Sequence, residues 1–256
     1  MVCGKWSSKK PLTGPFIMKI HRFIGDFNVR LGSLKLQDRE LLNQFRSVLR
    51  LKVGEKLILC DGRRNEGTAE IKEYGKDYVE VEIKEAGVNK NEPEKQVTLY
   101  CAILKRENFE LVVQKATKVG VKEIVPIITK RTVKLDIRKE RLEKIIKEAA
   151  EQSGRGIIPI LHESIDFEKA IKGINDKNAN FLFDISGKEF NSYTTNYLLH
   201  TTSWIGPEGG WTSQELETAK TADFEIVCLG KTTLRAETAA IIGSYLAIHS
   251  IQLSEI

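Results

Sequence analysis

Arg235, Glu237 and Thr238 follow directly on the loop Gly230-Lys231-Thr232-Thr233-Leu234, and a second loop, Gly206-Pro207-Glu208-Gly209-Gly210, lies one helix earlier. A cation and a carboxylate two residues apart, beside two glycine loops, suit one kind of chemistry. Glycine lets main chain approach a ligand closely, while the charged pair can steady developing charge or move a proton. The alternative is that Arg235 and Glu237 pair with each other and cap a helix, where a first-turn glutamate is favoured anyway.

Two strand-to-loop-to-helix units position these residues. The short runs Ser203-Trp204-Ile205 and Glu225 to Leu229 each stop at a glycine, and a helical pattern follows each. Such units predict parallel strands in one sheet, with both loops at its carboxyl edge, where open α/β sheets bind ligands. Thr212 with Glu215 three residues on has the spacing of a capping box. The last helix, Ala236 to about Ser250, is apolar nearly all round and should be buried. Neither standard nucleotide loop is present. Gly230-Lys231-Thr232 could end a phosphate-binding loop, but Glu225 stands where its first glycine belongs. Gly206, Gly209 and Gly210 do not fit G-x-G-x-x-G.

IGPEGG followed, after a helix, by LGKTTLRAETAA is similar to the C-terminal signature of the SPOUT class of methyltransferases. Within that class the chain most resembles the family that methylates uridine N3 in small-subunit (16S) ribosomal RNA, from about Met18 to its end. The resemblance implies a C-terminal parallel-sheet α/β-knot domain with a trefoil knot, preceded by a small PUA-like β-barrel. It also implies S-adenosylmethionine in the knot loops, a homodimer, and the small ribosomal subunit or its RNA as partner. Carried over residue by residue, it assigns cofactor contacts to Ile205, Gly206, Gly209, Gly210, Leu229, Gly230, Thr233, Leu234 and Ala236, with Phe183 lining the pocket. Arg235 then steadies charge on a uracil carbonyl, and Glu237 accepts the N3 proton or orients Arg235. Glu208 is structural or faces the substrate. Gln152 and Arg155 fall near the RNA-facing side, although a cation after a helix is also favoured by the dipole. The family's usual serine is missing from Thr129-Lys130-Arg131-Thr132, which leaves Thr132 without an assigned role.

Composition narrows the partners. No apolar run reaches the length of a membrane span. Cys3, Cys60, Cys101 and Cys228 are far apart, and the four histidines do not cluster. A disulfide framework or metal site is therefore not expected, and a reducing cytoplasm fits. The net charge of +5 is N-terminal: residues 1–88 hold 17 Lys+Arg against 12 Asp+Glu, and the remainder balances. An anionic partner such as RNA would be held there. Arg22, Arg46, Arg50 and Lys52 are the candidate phosphate contacts; the alternative is a solvated basic face.

Taken in order, Met1 to Ile17 lacks periodicity and is expected to be a disordered extension. Residues 18–88 read as short strands of a small barrel, interrupted by a helix from Asp38 to about Leu49 with Asp38 as N-cap. Gly87 to Glu94 (GVNKNEPE) reads as a linker. From Val97 onward strands and helices alternate: strands at Val97 to Leu104, Val121 to Ile128, Ile157 to Leu161 and Asn178 to Asp184, helices at Glu107 to Val119, Asp136 to Ser153 and Asp166 to Lys172. Residues 97–256 therefore predict a parallel sheet covered on both faces. Lys105 and Arg106 read as part of a solvated helix start. Two other functions remain open: a methyltransferase acting on another RNA base, and a non-catalytic RNA-binding or ribosome-assembly protein of the same fold.

Overall fold

The computed structural model describes residues 20–133, 136–174, 179–190 and 200–249. The expected extension, Met1 to Ile17, lies outside them. The N-terminal part is a five-stranded sheet built from β1 (His21–Ile24), β2 (Gly32–Leu36), β3 (Lys56–Cys60), β4 (Asn65–Tyr74) and β5 (Val79–Val88). Its order is β1-β3-β4-β5-β2, and the hydrogen-bonded path is open between β1 and β2. Strict alternation in β4 and β5 puts Ala69, Ile71, Val79, Val81 and Ile83 on the buried face, with Leu57 and Leu59 of β3. Helix α1 (Arg39–Asn43) begins as expected: the Asp38 carboxylate accepts from Leu41 N–H at 2.7 Å. It runs on as a π-helical turn over Gln44–Val48, and Phe45 packs on Phe23 at 4.5 Å between ring centroids.

The C-terminal part is a seven-stranded sheet. Its strands are β6 (Gln96–Ala102), β7 (Glu123–Ile128), β8 (Ile160–Leu161), β9 (Ile165–Asp166), β10 (Ala179–Glu189), β11 (His200–Ile205) and β12 (Glu225–Cys228). The order is β12-β10-β11-β6-β7-β8, with β9 also on β7. Every pairing is parallel, so all the strands end on one edge. Helices α2 (Arg106–Val119), α3 (Lys139–Ser153) and α6 (Ala236–Ile248) share one core with Leu99, Ile124, Phe181 and Phe183. The opposite core holds α4 (Phe167–Lys172) and α5 (Ser213–Thr221) against Val125, Leu182 and Trp204. Trp204 is fully buried, stacked on Tyr100 at 3.9 Å and tied to Thr202 Oγ1 through Nε1.

Several expected boundaries move. Helix α3 starts at Lys139 rather than Asp136, and the strand expected over Ile157 to Leu161 shrinks to two residues. The strand expected to end at Asp184 continues to Glu189, where it bends back onto β12. The last helix is not buried all round: Ile242 and Tyr245 are 38% and 51% exposed.

The segment between the two sheets begins later than expected: Gly87 and Val88 pair with β4 as part of β5, and Asn89 is buried against the end of α3. The two parts also meet through Ile24, Cys60, Ala150 and Ile158. Beside this cluster Glu151 Oε1 accepts from Ile24 N–H at 2.9 Å. Burial pushes the Glu151 carboxyl above its ordinary value of 4.5, partly offset by that hydrogen bond and by Lys147. An acid with a raised folded-state value costs stability when ionised, and the cost fades as pH falls through that value toward the unfolded one. Glu151→Gln keeps an acceptor for Ile24 and removes the charge. The variant is expected to melt above the parent at pH 8, with the gain vanishing near pH 4 in paired thermal scans. A lower melting point at pH 8 would contradict this account.

Candidate active site

Both glycine loops and the start of α6 meet at the carboxyl edge of β10, β11 and β12. They enclose a cavity of about 560 Å³. Phe183 ends the buried run of β10, Ile205 ends β11, and Cys228 ends β12. Of the residues expected to hold a cofactor, Phe183, Ile205, Gly206, Gly210, Leu229, Gly230, Thr233, Leu234 and Ala236 all line this cavity, and Arg235 and Glu237 stand beside them.

Gly209 is the exception. It does not line the cavity; a Cβ there would meet the Arg131 side chain at 3.4 Å. The first loop is clamped from outside instead. Arg131 Nη1 donates to Gly209 O at 2.7 Å and Trp211 O at 3.2 Å. Thr132 has a structural use here, its Oγ1 accepting from Thr129 N–H at 2.9 Å to close the turn that carries Arg131. Glu215 joins both segments. Its carboxylate takes Lys130 N–H at 2.9 Å and Thr212 N–H at 2.7 Å, the latter completing the expected capping box. Glycine at 206 has a packing reason, since a Cβ would sit 3.0 Å from the Trp211 indole. That ring cannot retreat: it is 6% exposed, packs on Phe167, and donates through Nε1 to Phe183 O at 3.1 Å.

Arg235 is the N-cap residue of α6 but makes no side-chain capping bond, and Glu237 is 8% exposed in the first turn. Among the described residues the alternative Arg235–Glu237 ion pair is not formed, and neither side chain has another such partner. A buried carboxylate and an exposed guanidinium on the wall of a cavity, unspent on each other, remain available to a ligand. Glu208 also lines the cavity, and its Oε1 accepts from Lys105 N–H at 3.1 Å, tying the first loop to the start of α2. Lys105 itself lines the cavity and is not merely part of a solvated helix start. Asn108, Asp184 and Trp211 were not anticipated either. Trp211 immediately follows the glycine loop, which was the one local sign available. Among the described residues no group of three or more His, Cys, Asp or Glu could hold a metal ion.

The residues expected to touch RNA are not brought together. Arg22 is nearly buried in an ion pair with Glu66. Arg46 spends its guanidinium on the carbonyls of Gly75, Lys76 and Tyr78, over the Tyr74 ring. Arg155 is 4% exposed and bound to Glu92, Thr117 O and Val121 O, so the placement implied for it is corrected: it faces protein. Gln152 is exposed and accepts from Lys118 Nζ at 2.7 Å. Arg50 and Lys52 are exposed, close together after the π-helical turn. Arg22 and Arg155 are thus spent in ion pairs within the protein, whereas Arg46, Arg50 and Lys52 are exposed.

Comparison with known proteins decides the family. Residues 90–247, more than half of the chain, match the RNA methyltransferase domain, and residues 45–84 match the RNA methyltransferase PUA domain. A ribosomal RNA small subunit methyltransferase E of Rickettsia conorii is 33% identical over 235 residues, covering 88% of this chain and 93% of that protein. The chain belongs to the ribosomal RNA small subunit methyltransferase E family. Solved structures agree. The family member from Neisseria gonorrhoeae, bound to S-adenosyl methionine, is 29% identical, with a TM-score of 0.79 over 88% of this chain and 95% of that one. A Legionella pneumophila protein solved with its bound cofactor SAM is 30% identical, with a TM-score of 0.80 over 90% and 97% of the two chains. The family therefore has the architecture described here: a parallel α/β sheet of SPOUT type preceded by a PUA-like part.

Proposed function

We propose that this chain transfers the methyl group of S-adenosylmethionine to N3 of a uridine in small-subunit ribosomal RNA. The observation that carries this reading is the convergence of both glycine loops with Arg235 and Glu237 on one cavity. Its volume lies within the roughly 300–1,000 Å³ usual for small-ligand sites. The lining suits the cofactor: Phe183, Ile205, Leu229 and Leu234 offer apolar walls for an adenine, and the loop main chain offers donors and acceptors for its edges. The cofactor supplies a methyl carbon already activated by a sulfonium, so alignment is the main demand left to the protein. Arg235 then steadies the negative charge that spreads onto a uracil carbonyl as N3 loses its proton. Glu237 receives that proton. The base leaves its stack to enter the cavity.

The same reading makes the protein a cytoplasmic homodimer. The exposed apolar face of α6, with Ile242 and Tyr245, supports an interface there. The PUA-like part and the methyltransferase part would divide RNA holding from chemistry, with the trefoil knot of the SPOUT class in the loops around the cavity. No described helix is long and apolar enough to cross a membrane.

The test is methyl transfer from labelled S-adenosylmethionine to unmodified small ribosomal subunits, followed by digestion to nucleosides. Label in 3-methyluridine is the expected result. Label in another nucleoside replaces the base assignment. No transfer by folded protein saturated with S-adenosylmethionine overturns the enzyme reading and favours an RNA-binding protein of the same fold.

A further inference from the structure

The segment read as a linker carries a buried polar network that joins the two parts of the chain. Arg155 Nη2 donates to Glu92 Oε2 at 2.8 Å, with both side chains almost fully buried. Arg155 Nη1 also donates to Thr117 O at 3.0 Å and Val121 O at 2.6 Å, the carbonyls around the end of α2. Glu92 Oε1 accepts from Gly156 N–H at 2.9 Å and Ile157 N–H at 3.0 Å, where the chain leaves α3. Asn89, 1% exposed, extends the network to the N-terminal sheet. Its Nδ2 donates to Gly154 O at 3.0 Å and to Glu66 Oε2 at 2.6 Å, and Glu66 holds Arg22 of β1. Main chain runs alongside: Arg64 N–H donates to Gly156 O at 2.9 Å, and Asn89 N–H to Arg64 O at 2.7 Å. The fit is close, since a Cβ on Gly156 would fall 2.5 Å from Asn89 Cβ.

Parts of a chain joined by a polar segment normally move relative to each other unless their interface is large and apolar. The apolar contact here is small: Ile24, Cys60, Ala150 and Ile158. A buried ion pair is weak support for stability as such, but it penalises any arrangement that leaves one partner unpaired. Here it fixes Gly156 and the segment after Asn89, and Gly156 and Asn89 both bond the N-terminal part. We infer that Glu92 and Arg155 are positioning residues that lock the PUA-like sheet at one angle to the methyltransferase cavity, so that RNA held on the first part presents its base to the second. This rests on the RNA methyltransferase reading above.

The test uses the full chain with Glu92→Gln, which keeps an acceptor but removes the charge, and with Arg155→Met. Two measurements are made on each. Hydrogen exchange at the amides of Ile24 and Arg64 reads the lock, because both bonds cross between the parts; the Arg64 bond ends on Gly156, which Glu92 also holds, so Ile24, bound to Glu151, is the decisive reporter. Exchange there is expected to quicken at least about tenfold while amides of the sheet cores keep their rates. Steady-state methylation is expected to show KM for the small subunit raised at least about tenfold, with kcat and S-adenosylmethionine affinity changed less than about twofold. Should Arg155→Met not fold, Glu92→Gln decides. Unchanged exchange at Ile24 overturns the lock. Faster exchange with unchanged KM overturns its role in presenting RNA, as does an equal loss in cofactor and RNA binding. Absence of methyl transfer by the unaltered protein overturns the methyltransferase reading instead, while the exchange rates still report on the lock.

Discussion

Arg235→Ala is expected to lower kcat for methyl transfer by about 10²–10³-fold, the usual cost of removing one group that stabilises transition-state charge. The cofactor dissociation constant should stay within about twofold, because Arg235 stands at the cavity rim and Phe183, Ile205 and Leu234 form the apolar walls. Glu237→Gln, isosteric and unable to take a proton, is expected to cost about 10²–10⁴-fold in kcat. The two losses should not add: if the residues act on one proton transfer, the double variant falls little further than the worse single one. Arg235→Lys should recover part of the rate, because it keeps the charge without the planar fork. Single-turnover rates at saturating S-adenosylmethionine provide the check. A full-rate Glu237→Gln would remove the residue from proton transfer and leave it a buried helix-end carboxylate.

Gly206→Val carries the second large effect. The added Cβ would lie 3.0 Å from the Trp211 ring. Trp211 is held between the Phe183 carbonyl and Phe167, so the loop has to move instead. Overpacking of this kind costs about 1–3 kcal/mol, and a shifted loop narrows the cavity it lines. Cofactor affinity is expected to fall by roughly 10- to 100-fold in calorimetric titration. Gly209→Val, three residues along the same loop, is the informative control. Its Cβ would meet the Arg131 side chain at 3.4 Å, an ordinary contact outside the cavity, so affinity should change by less than about threefold. Equal losses in both variants would mean that the loop tolerates no side chain anywhere and that the Trp211 contact is not the cause.

Much of the site was legible from local chemistry. Strand ends at Ile205 and Cys228, the two glycine loops, the capping box at Thr212 and Glu215, and the first turn of α6 all involve neighbours a few residues apart. Their physics is contained in a short window, so spacing and residue type are enough to place them. The same holds for the alternation of strands and helices after Val97, which implies parallel strands and a common carboxyl edge. The failures share a different character. Arg155 and Glu92 are 63 residues apart, Arg22 and Glu66 are 44 apart, and Arg131 reaches Gly209 across 78.

An arginine reads as a free cation in sequence, because nothing local says whether a carboxylate or carbonyl waits for it in the fold. Residue types and periodicity in this chain determined its strands, helices, turn glycines and the sheet edge where the candidate cavity lies. Only the tertiary structure decided which cations were spent inside the protein, how Asn89 and Glu92 of GVNKNEPE dock, and that Trp211 crowds Gly206. Burial strengthens such contacts and removes them from solvent at once, and burial is a property of the packed whole that no single stretch of chain encodes.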